Sequence, residues 1–145
     1  MASDPARSGI APDTIAAYRA TDYRVDASQP FVLRVGQASP ELAALYASAG
    51  VGCCAYITAC NPHSRQVDPA TNNRRQAALA QELRHCGCVA IPGVGQHPHN
   101  LWPGEPSFLA LGLSLDAAKA LARRHGQDAF VWCGPDTVAG LVLLR

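Results

Sequence analysis

The sequence predicts an α/β fold, with an α+β arrangement as the alternative. Apolar runs of strand length alternate with helical segments along the chain. Capping residues mark helix starts, as at Ser39 before Pro40 and at Ser114. The runs 130–132 and 141–144 are rich in Val, Leu and Phe, which is typical of buried strands. We therefore expect a single mixed sheet of about five to six strands, covered by three to four helices.

The first half of the chain is expected to hold two helices and up to three strands. Residues 1–12 are polar and contain Pro and Gly, so we expect a loose tail, followed by a single domain over 13–145. Gly50 ends the second helix. The predicted elements are a helix at 13–20, strands at 23–25 and 31–35, a helix at 40–49 and a strand at 53–59.

The second half repeats this alternation around one long loop. Residues 92–104 contain three prolines and three glycines, which predicts the longest loop of the chain. The predicted elements are a helix at 70–86, strands at 88–91 and 106–113, a helix at 115–125, and strands at 129–133 and 141–144.

Composition excludes several classes of function. The formal net charge is +1 and charged residues make up 16% of the chain, so no electrostatic footprint for nucleic acid is present. No apolar stretch approaches the roughly 20 residues that a membrane helix needs, and we see no signal peptide. We therefore expect a cytoplasmic protein whose six cysteines are reduced.

Several short motifs follow one another in the order of a known family. They are Tyr18 with Thr21, the runs 31–36, 57–62, 105–108 and 126–129, and the helix start at Asn72 and Asn73. Over most of residues 14–144 the chain resembles the bacterial domain of unknown function 3293 family; Cys60 departs from it, since an aromatic residue is common there. The resemblance supplies no activity, substrate or cofactor. It implies a stand-alone domain whose polar features are Thr58, Asn61, Asn72 or Asn73, Glu105 and Gln127.

A polar cluster follows the apolar run 53–59. Asn61 lies just past the strand end, and Asn72 and Asn73 lie in the first turns of the next helix, where free N–H groups favour an anion. Arg74 and Arg75 add donors suited to phosphate or carboxylate. The alternative is structural, since Asn caps helices and Arg on a helix usually faces solvent.

A second candidate lies on the Pro- and Gly-rich loop. Glu105 could act as general acid or base, or bind a hydroxyl or amine, while Trp102 could stack on a planar group and Ser107 stands beside them. The alternative is that Glu105 pairs with a local Arg and that Trp102 caps the core.

Cysteine and histidine offer a weaker third candidate. Cys60 and His63 have metal-like spacing, and Cys86 and Cys88 lie close together. A structural zinc site needs two such pairs at matching short spacings, so we assign no metal and no cofactor. A Cys60 nucleophile with His63 as base lacks an identifiable third group.

Two functional hypotheses follow. In the first, the 57–61 strand end, the 72–75 helix start and the 102–107 loop converge on a pocket. That pocket binds, or acts on, a small anionic molecule such as a phosphorylated or carboxylated metabolite. In the second, the protein is a non-catalytic interaction or regulatory module that uses an exposed Trp102 loop, in the simplest case as a homodimer.

Overall fold

The computed structural model describes residues 8–145. In this part of the chain, four helices, seven strands and one short 3₁₀ turn alternate. The helices are α1 Pro12–Ala20, α2 Pro40–Ala49, α3 Pro69–His85 and α4 Leu115–Arg124, and the 3₁₀ turn is Pro62–Ser64. The strands are β1 Asp22–Val25, β2 Phe31–Leu33, β3 Cys54–Ile57, β4 Val89–Gln96, β5 Glu105–Leu111, β6 Ala129–Cys133 and β7 Ala139–Leu143.

The α/β class is confirmed, but the sheet differs from the prediction. It has seven strands in the order β2-β1-β4-β5-β3-β6-β7, rather than five to six. Every pair of named strands is antiparallel, so the sheet is not the mixed sheet that we expected. The sheet curls into a half-barrel, and an isolated parallel bridge joins Val35, just after β2, to Ala139 on β7.

The seventh strand is the short β1, which the sequence leaves open in its count of up to three strands for the first half. β4 is also longer than predicted. The sequence places 92–104 in one loop, whereas β4 continues to Gln96 and pairs with β1 over Gly93–Gln96. Pro92 is compatible with this strand because it lies where β1 ends: its carbonyl still accepts from Asp26 N at 2.9 Å, and the ladder with β1 stops at the proline, which has no N–H to donate. The short β1–β2 hairpin joins the sheet because β1 pairs with this extension of β4.

The sheet is buried on both faces by two hydrophobic clusters. On the concave face, Leu33, Leu109 and Leu141 belong to one cluster with Leu42 and Tyr46 of α2. On the convex face, α3 and α4 pack through side chains that include Leu79, Leu83 and Leu121. β3 lies near the centre of the sheet, and all four of its residues are buried.

The two ends of the concave face are closed differently. At one end, α2 packs into the curl, and the Tyr46 hydroxyl donates to the carbonyls of Cys133 and Gly134 at 3.1 and 3.0 Å. At the other end, α1 runs into β1 beside the end of β3 and the start of β5. The caps that predicted the helix starts are present, since Ser39 accepts from Leu42 N and Ser114 from Ala117 N.

The predicted tail falls partly outside the described residues. Residues 1–7 are not described. From residue 8 onward the chain packs on the sheet, where Ile10 is 4% exposed and the Ser8 hydroxyl donates to the Arg145 carbonyl. Between residues 8 and 145, no helix has both the length and the apolar character needed to cross a membrane.

Candidate functional site

A cavity of about 290 Å³ opens at the α1 end of the concave face. It lies where β1, β5 and β6 begin and where β3 and β4 end, and α1 covers it from above. Its lining combines aromatic rings with polar groups, among them Tyr18, Tyr23, Tyr56, Trp102, Glu105 and Gln127. Because the packing of α2 fills the opposite end, this end is where the half-barrel leaves room for a ligand.

Glu105 is the central titratable group of the cavity wall. It is the first residue of β5, pairs with Gly95 on β4 and is partly buried. Its Oε2 accepts a hydrogen bond of 2.9 Å from Asn61 Nδ2. Burial raises the pKa of Glu105 above its ordinary value, and the hydrogen bonds from Asn61 and the Trp102 side chain only partly oppose this. A carboxyl with these properties can exchange a proton nearer to neutral pH than an exposed one.

The orientation of the Asn61 amide is set by its other hydrogen bonds. Asn61 Oδ1 accepts from Val67 N at 3.1 Å and from Asn72 Nδ2 at 2.9 Å. Asn61 N donates in return to Asn72 Oδ1 at 2.9 Å. With its oxygen occupied, Asn61 must direct its NH₂ group at Glu105. Asn61 adopts a left-handed conformation with φ 48°, which Asn tolerates better than most residues.

A second hydrogen-bonded chain borders the cavity. The buried Asp128 carboxylate accepts from Ser64 Oγ at 2.6 Å and from Arg145 Nε at 2.7 Å. Since the Ser64 hydrogen points to Asp128, the Tyr18 hydroxyl, 2.8 Å away, must donate to Ser64. Burial raises the pKa of Asp128, but its bonds to Arg145 and Ser64 outweigh burial and lower it, so the carboxylate stays ionised.

Six of the residues predicted for the site are brought together around the cavity. They are Thr58, Asn61, Trp102, Glu105, Ser107 and Gln127. Two of them also shape the loop after β3: Thr58 Oγ1 donates to Pro106 O at 2.7 Å, and Gln127 Nε2 donates to Cys60 O at 3.0 Å. These two side chains therefore stabilise the backbone of the cavity wall and also line the cavity.

The helix-start residues do not reach the cavity. Asn72 lies behind Asn61 and fixes it, as described above, while Asn73 is exposed. Arg74 is exposed and donates to Thr71 Oγ1. Arg75 Nε donates to Ala59 O at 2.8 Å, and its NH2 group donates to a second main-chain carbonyl. None of these four residues is part of the lining of this cavity.

The cysteines and histidines give no assembled site. Cys60 is buried, and burial raises the pKa of its thiol, which disfavours a nucleophilic thiolate. His63 and Cys86 are exposed, and Cys88 is partly buried. Among residues 8–145, no group of three or more His, Cys, Asp or Glu side chains is arranged to hold a metal ion.

The tyrosines of the lining were missed as site residues. Tyr18, Tyr23 and Tyr56 account for three of the four tyrosines in the chain. Tyr23 and Tyr56 lie on β1 and β3, which β4 and β5 separate in the sheet, yet curling brings their rings to 5.2 Å. No local sequence pattern predicts that these two rings are in contact. The sequence indicates Tyr18 only through the resemblance to the family.

Comparison with known families identifies the group to which the protein belongs. Residues 57–130 match the family described as Protein of unknown function (DUF3293). The chain belongs to this family. The DUF3293 match includes Thr58, Asn61, Glu105 and Gln127, whereas Tyr18 lies before it. Comparisons with curated proteins and with solved structures returned no match.

Proposed function

We propose that the cavity binds a small polar molecule, with Glu105 as its principal polar contact. The observation that supports this is a partly buried carboxyl on the wall of a cavity, held by the neutral Asn61 amide and without a cationic partner within residues 8–145. A buried carboxyl without a counter-charge is costly for folding alone, so its position favours a functional role. If the protein is an enzyme, Glu105 is the general acid or base.

The anionic ligand that the sequence predicts has little support in the lining. The cavity wall contains no Lys or Arg among the described residues. His97 lines it, but His97 Nδ1 accepts from the backbone N–H groups of His99 and Asn100, both at 3.0 Å, so this nitrogen carries no proton. An anion placed beside Glu105 would meet a carboxyl without a compensating positive charge.

Filling the cavity tests the proposal. Gly95 lines the cavity on β4, and a Cβ there would meet only side-chain atoms of Thr21 and Tyr23, at 3.7 Å or more. We expect Gly95→Val to fold and to lose the signals of bound compounds in a ligand-observed NMR fragment screen. Gly140→Val is the matched control, because Gly140 lies on β7 outside the lining and its Cβ would meet only Trp132 O, at 3.5 Å. Equal fragment binding by the two variants would contradict the proposal.

A second candidate function rests on the β4–β5 loop. Leu101 is fully exposed at 100% and the adjacent Trp102 is 38% exposed, which is unusual for large apolar side chains. The interaction module, or homodimer, would use this pair. Sedimentation velocity of the wild type and of Leu101→Ser tests it. The interaction function requires a dimer, or a complex with a partner, that the substitution weakens.

A further inference from the structure

Four hydroxyl groups around the cavity donate their hydrogens to other atoms of the protein. Thr21 Oγ1 donates to Ala17 O at 2.7 Å, Ser107 Oγ donates to Glu105 O at 3.0 Å, and Thr58 and Ser64 donate as described above. The NH₂ groups of Asn61 and Gln127 are likewise engaged. The four hydroxyl groups therefore offer their acceptor oxygens to a ligand, whereas the Thr14 hydroxyl and the Asn100 NH₂ group of the same lining can still donate, so hydrogen bonding alone does not select the charge of the ligand.

The tyrosines offer their rings rather than their hydroxyl hydrogens. Tyr23 Oη donates to Tyr18 O at 2.6 Å, and Tyr56 Oη donates to Arg24 O at 2.7 Å. The Tyr18 hydroxyl is bound to Ser64. With the Trp102 indole also in the lining, several π-systems border the same space. Aromatic rings attract a cation over their faces, and Trp does so most strongly.

The charges of the lining also favour a cation over an anion. Its carboxyl groups are Glu105 and Asp13, the latter exposed on the first turn of α1. Neither Lys nor Arg belongs to the described lining, and the nearby Asp128 is already paired with Arg145. A positive ligand charge would supply the counter-ion that Glu105 lacks.

We propose that the molecule bound in this cavity is an organic ammonium cation, with Glu105 as its counter-ion and the aromatic rings around its apolar substituents. This inference rests on the proposed function and adds the chemical class of the ligand. Two independent features support it: the aromatic rings of the lining, and a carboxyl with no cationic partner in the described chain.

Binding of a cation must also favour the charged form of Glu105. Because burial raises the pKa of Glu105, the empty cavity holds the Glu105 proton up to a higher pH than an exposed carboxyl does, and a bound ammonium group would lower that pKa again. The other titratable groups around Glu105 are three tyrosines and a thiol, whose pKa values burial raises, and two further residues of the lining. They are Tyr18 and Asp13 on α1, Tyr23 on β1, Tyr56 on β3, Cys60 after β3 and His97 after β4.

Isothermal titration calorimetry tests the inference with three probes that have similar shapes and different charges. The probes are choline, its uncharged isostere dimethylbutanol, in which carbon replaces nitrogen, and the anion dimethylbutanoate. We expect choline to bind about tenfold more tightly than dimethylbutanol, with the anion weakest. Titrations in buffers of different ionisation enthalpy should show proton release when choline binds.

Variants separate the cation preference from the existence of the cavity. Glu105→Gln keeps the shape and should reduce choline affinity to the level of dimethylbutanol, whereas Glu82→Gln, on α3 outside the lining, should leave the preference intact. Trp102→Leu, on the exposed loop, should weaken choline more than dimethylbutanol. Equal or tighter binding of dimethylbutanol or of the anion would overturn the ammonium inference and leave the small-molecule proposal standing. Binding of none of the three probes would overturn the ammonium inference, and the fragment screen with Gly95→Val would then decide the small-molecule proposal separately.

Discussion

At the scale of single residues, Asn72 and Asn73 are neighbours with different roles. The Asn72 side chain makes two hydrogen bonds of 2.9 Å with Asn61, whereas Asn73 is exposed. We expect Asn72→Ala to lower the free energy of unfolding by about 2 kcal/mol, because it leaves polar groups of Asn61 unpaired. Asn73→Ala should change it by less than about 0.5 kcal/mol. Urea denaturation of both variants makes the comparison, and equal effects would contradict the role given to Asn72.

Glu105 should give the stability of the protein a recognisable pH dependence. Its pKa is raised in the folded state, so its contribution is most favourable below the ordinary value of 4.5 and is lost as pH rises through the folded pKa. Replacing Glu105 with Gln removes this loss. We therefore expect the melting temperature of Glu105→Gln, relative to wild type, to increase from acidic to neutral pH.

Glu82 is expected to show the opposite pH dependence in the same measurement. Burial raises the pKa of Glu82, but hydrogen bonds from Arg124 and His125 outweigh burial and lower it. Its contribution is present above the ordinary pKa and is lost as pH falls through the folded pKa. Glu82→Gln should therefore become more destabilising, relative to wild type, as pH rises. Parallel pH trends in the two variants would contradict the raised pKa of Glu105.

Several residues of the candidate site could be predicted from the sequence, but the net charge of its lining could not. Asn61 after one buried strand and Glu105 at the start of another are local patterns, and the antiparallel pairing of β3 with β5 brings them to hydrogen-bonding distance. The role of Arg75 could not be predicted in this way. Its guanidinium is taken up by carbonyls of Ala59 and His125, which only the packing of α3 beside α4 brings within reach. The same pattern of helical arginines would serve an anion equally well in another packing.

At the scale of elements, β4 requires glycine at one position that the sequence pattern assigns to a loop. A Cβ on Gly93 would lie 2.0 Å from Arg24 O on the paired strand and 2.8 Å from the Tyr56 hydroxyl. Gly in a strand often marks such a close approach, but the sequence pattern cannot distinguish it from Gly in a turn. The backbone of β1 and a side chain of β3 together therefore require Gly at this position.

The two strand glycines of β4 provide a matched pair of substitutions. We expect Gly93→Ala to cost about 3 kcal/mol of stability, because the clash is with backbone and the strands must separate. Gly95→Ala meets only side chains at ordinary contact distance, so stability should stay the same or rise by up to about 1 kcal/mol. Chemical denaturation of both variants tests this. A tolerated Gly93→Ala would show that β1 and β4 are less closely paired than described.

At the scale of the whole molecule, Asp128 joins parts that are distant in sequence. Its carboxylate, on a residue 3% exposed, accepts from Ser64 after β3 and from Arg145, and Ser64 in turn accepts from Tyr18 on α1. The Arg145 side chain also donates to Gly9 O. One carboxylate thus links the first helix, the loop beside the cavity and the segment after β7.

Removing the cation of this link should destabilise the protein in a pH-dependent manner. The pKa of Asp128 is lowered because its bonds to Arg145 and Ser64 outweigh burial, so its contribution is present above the ordinary value of 3.8 and is lost as pH falls through the folded pKa. We expect Arg145→Met to lower the melting temperature by several degrees at neutral pH and by much less below that ordinary value. Differential scanning calorimetry across pH measures it, and a loss independent of pH would contradict the ion pair as the cause.

The unequal ends of the concave face have a consequence for how relatives can diverge. At the α2 end, Tyr46 and Leu42 pack tightly and help maintain the curvature of the sheet. At the α1 end, the exposed side chains of Asn100 and Trp102 on the β4–β5 loop border the cavity, whereas Tyr23 and Tyr56 of the same lining belong to the core. Exchanges on this loop therefore cost little folding stability. If the cavity binds a ligand as proposed, we expect members of the family to differ in sequence on this loop while keeping the same half-barrel.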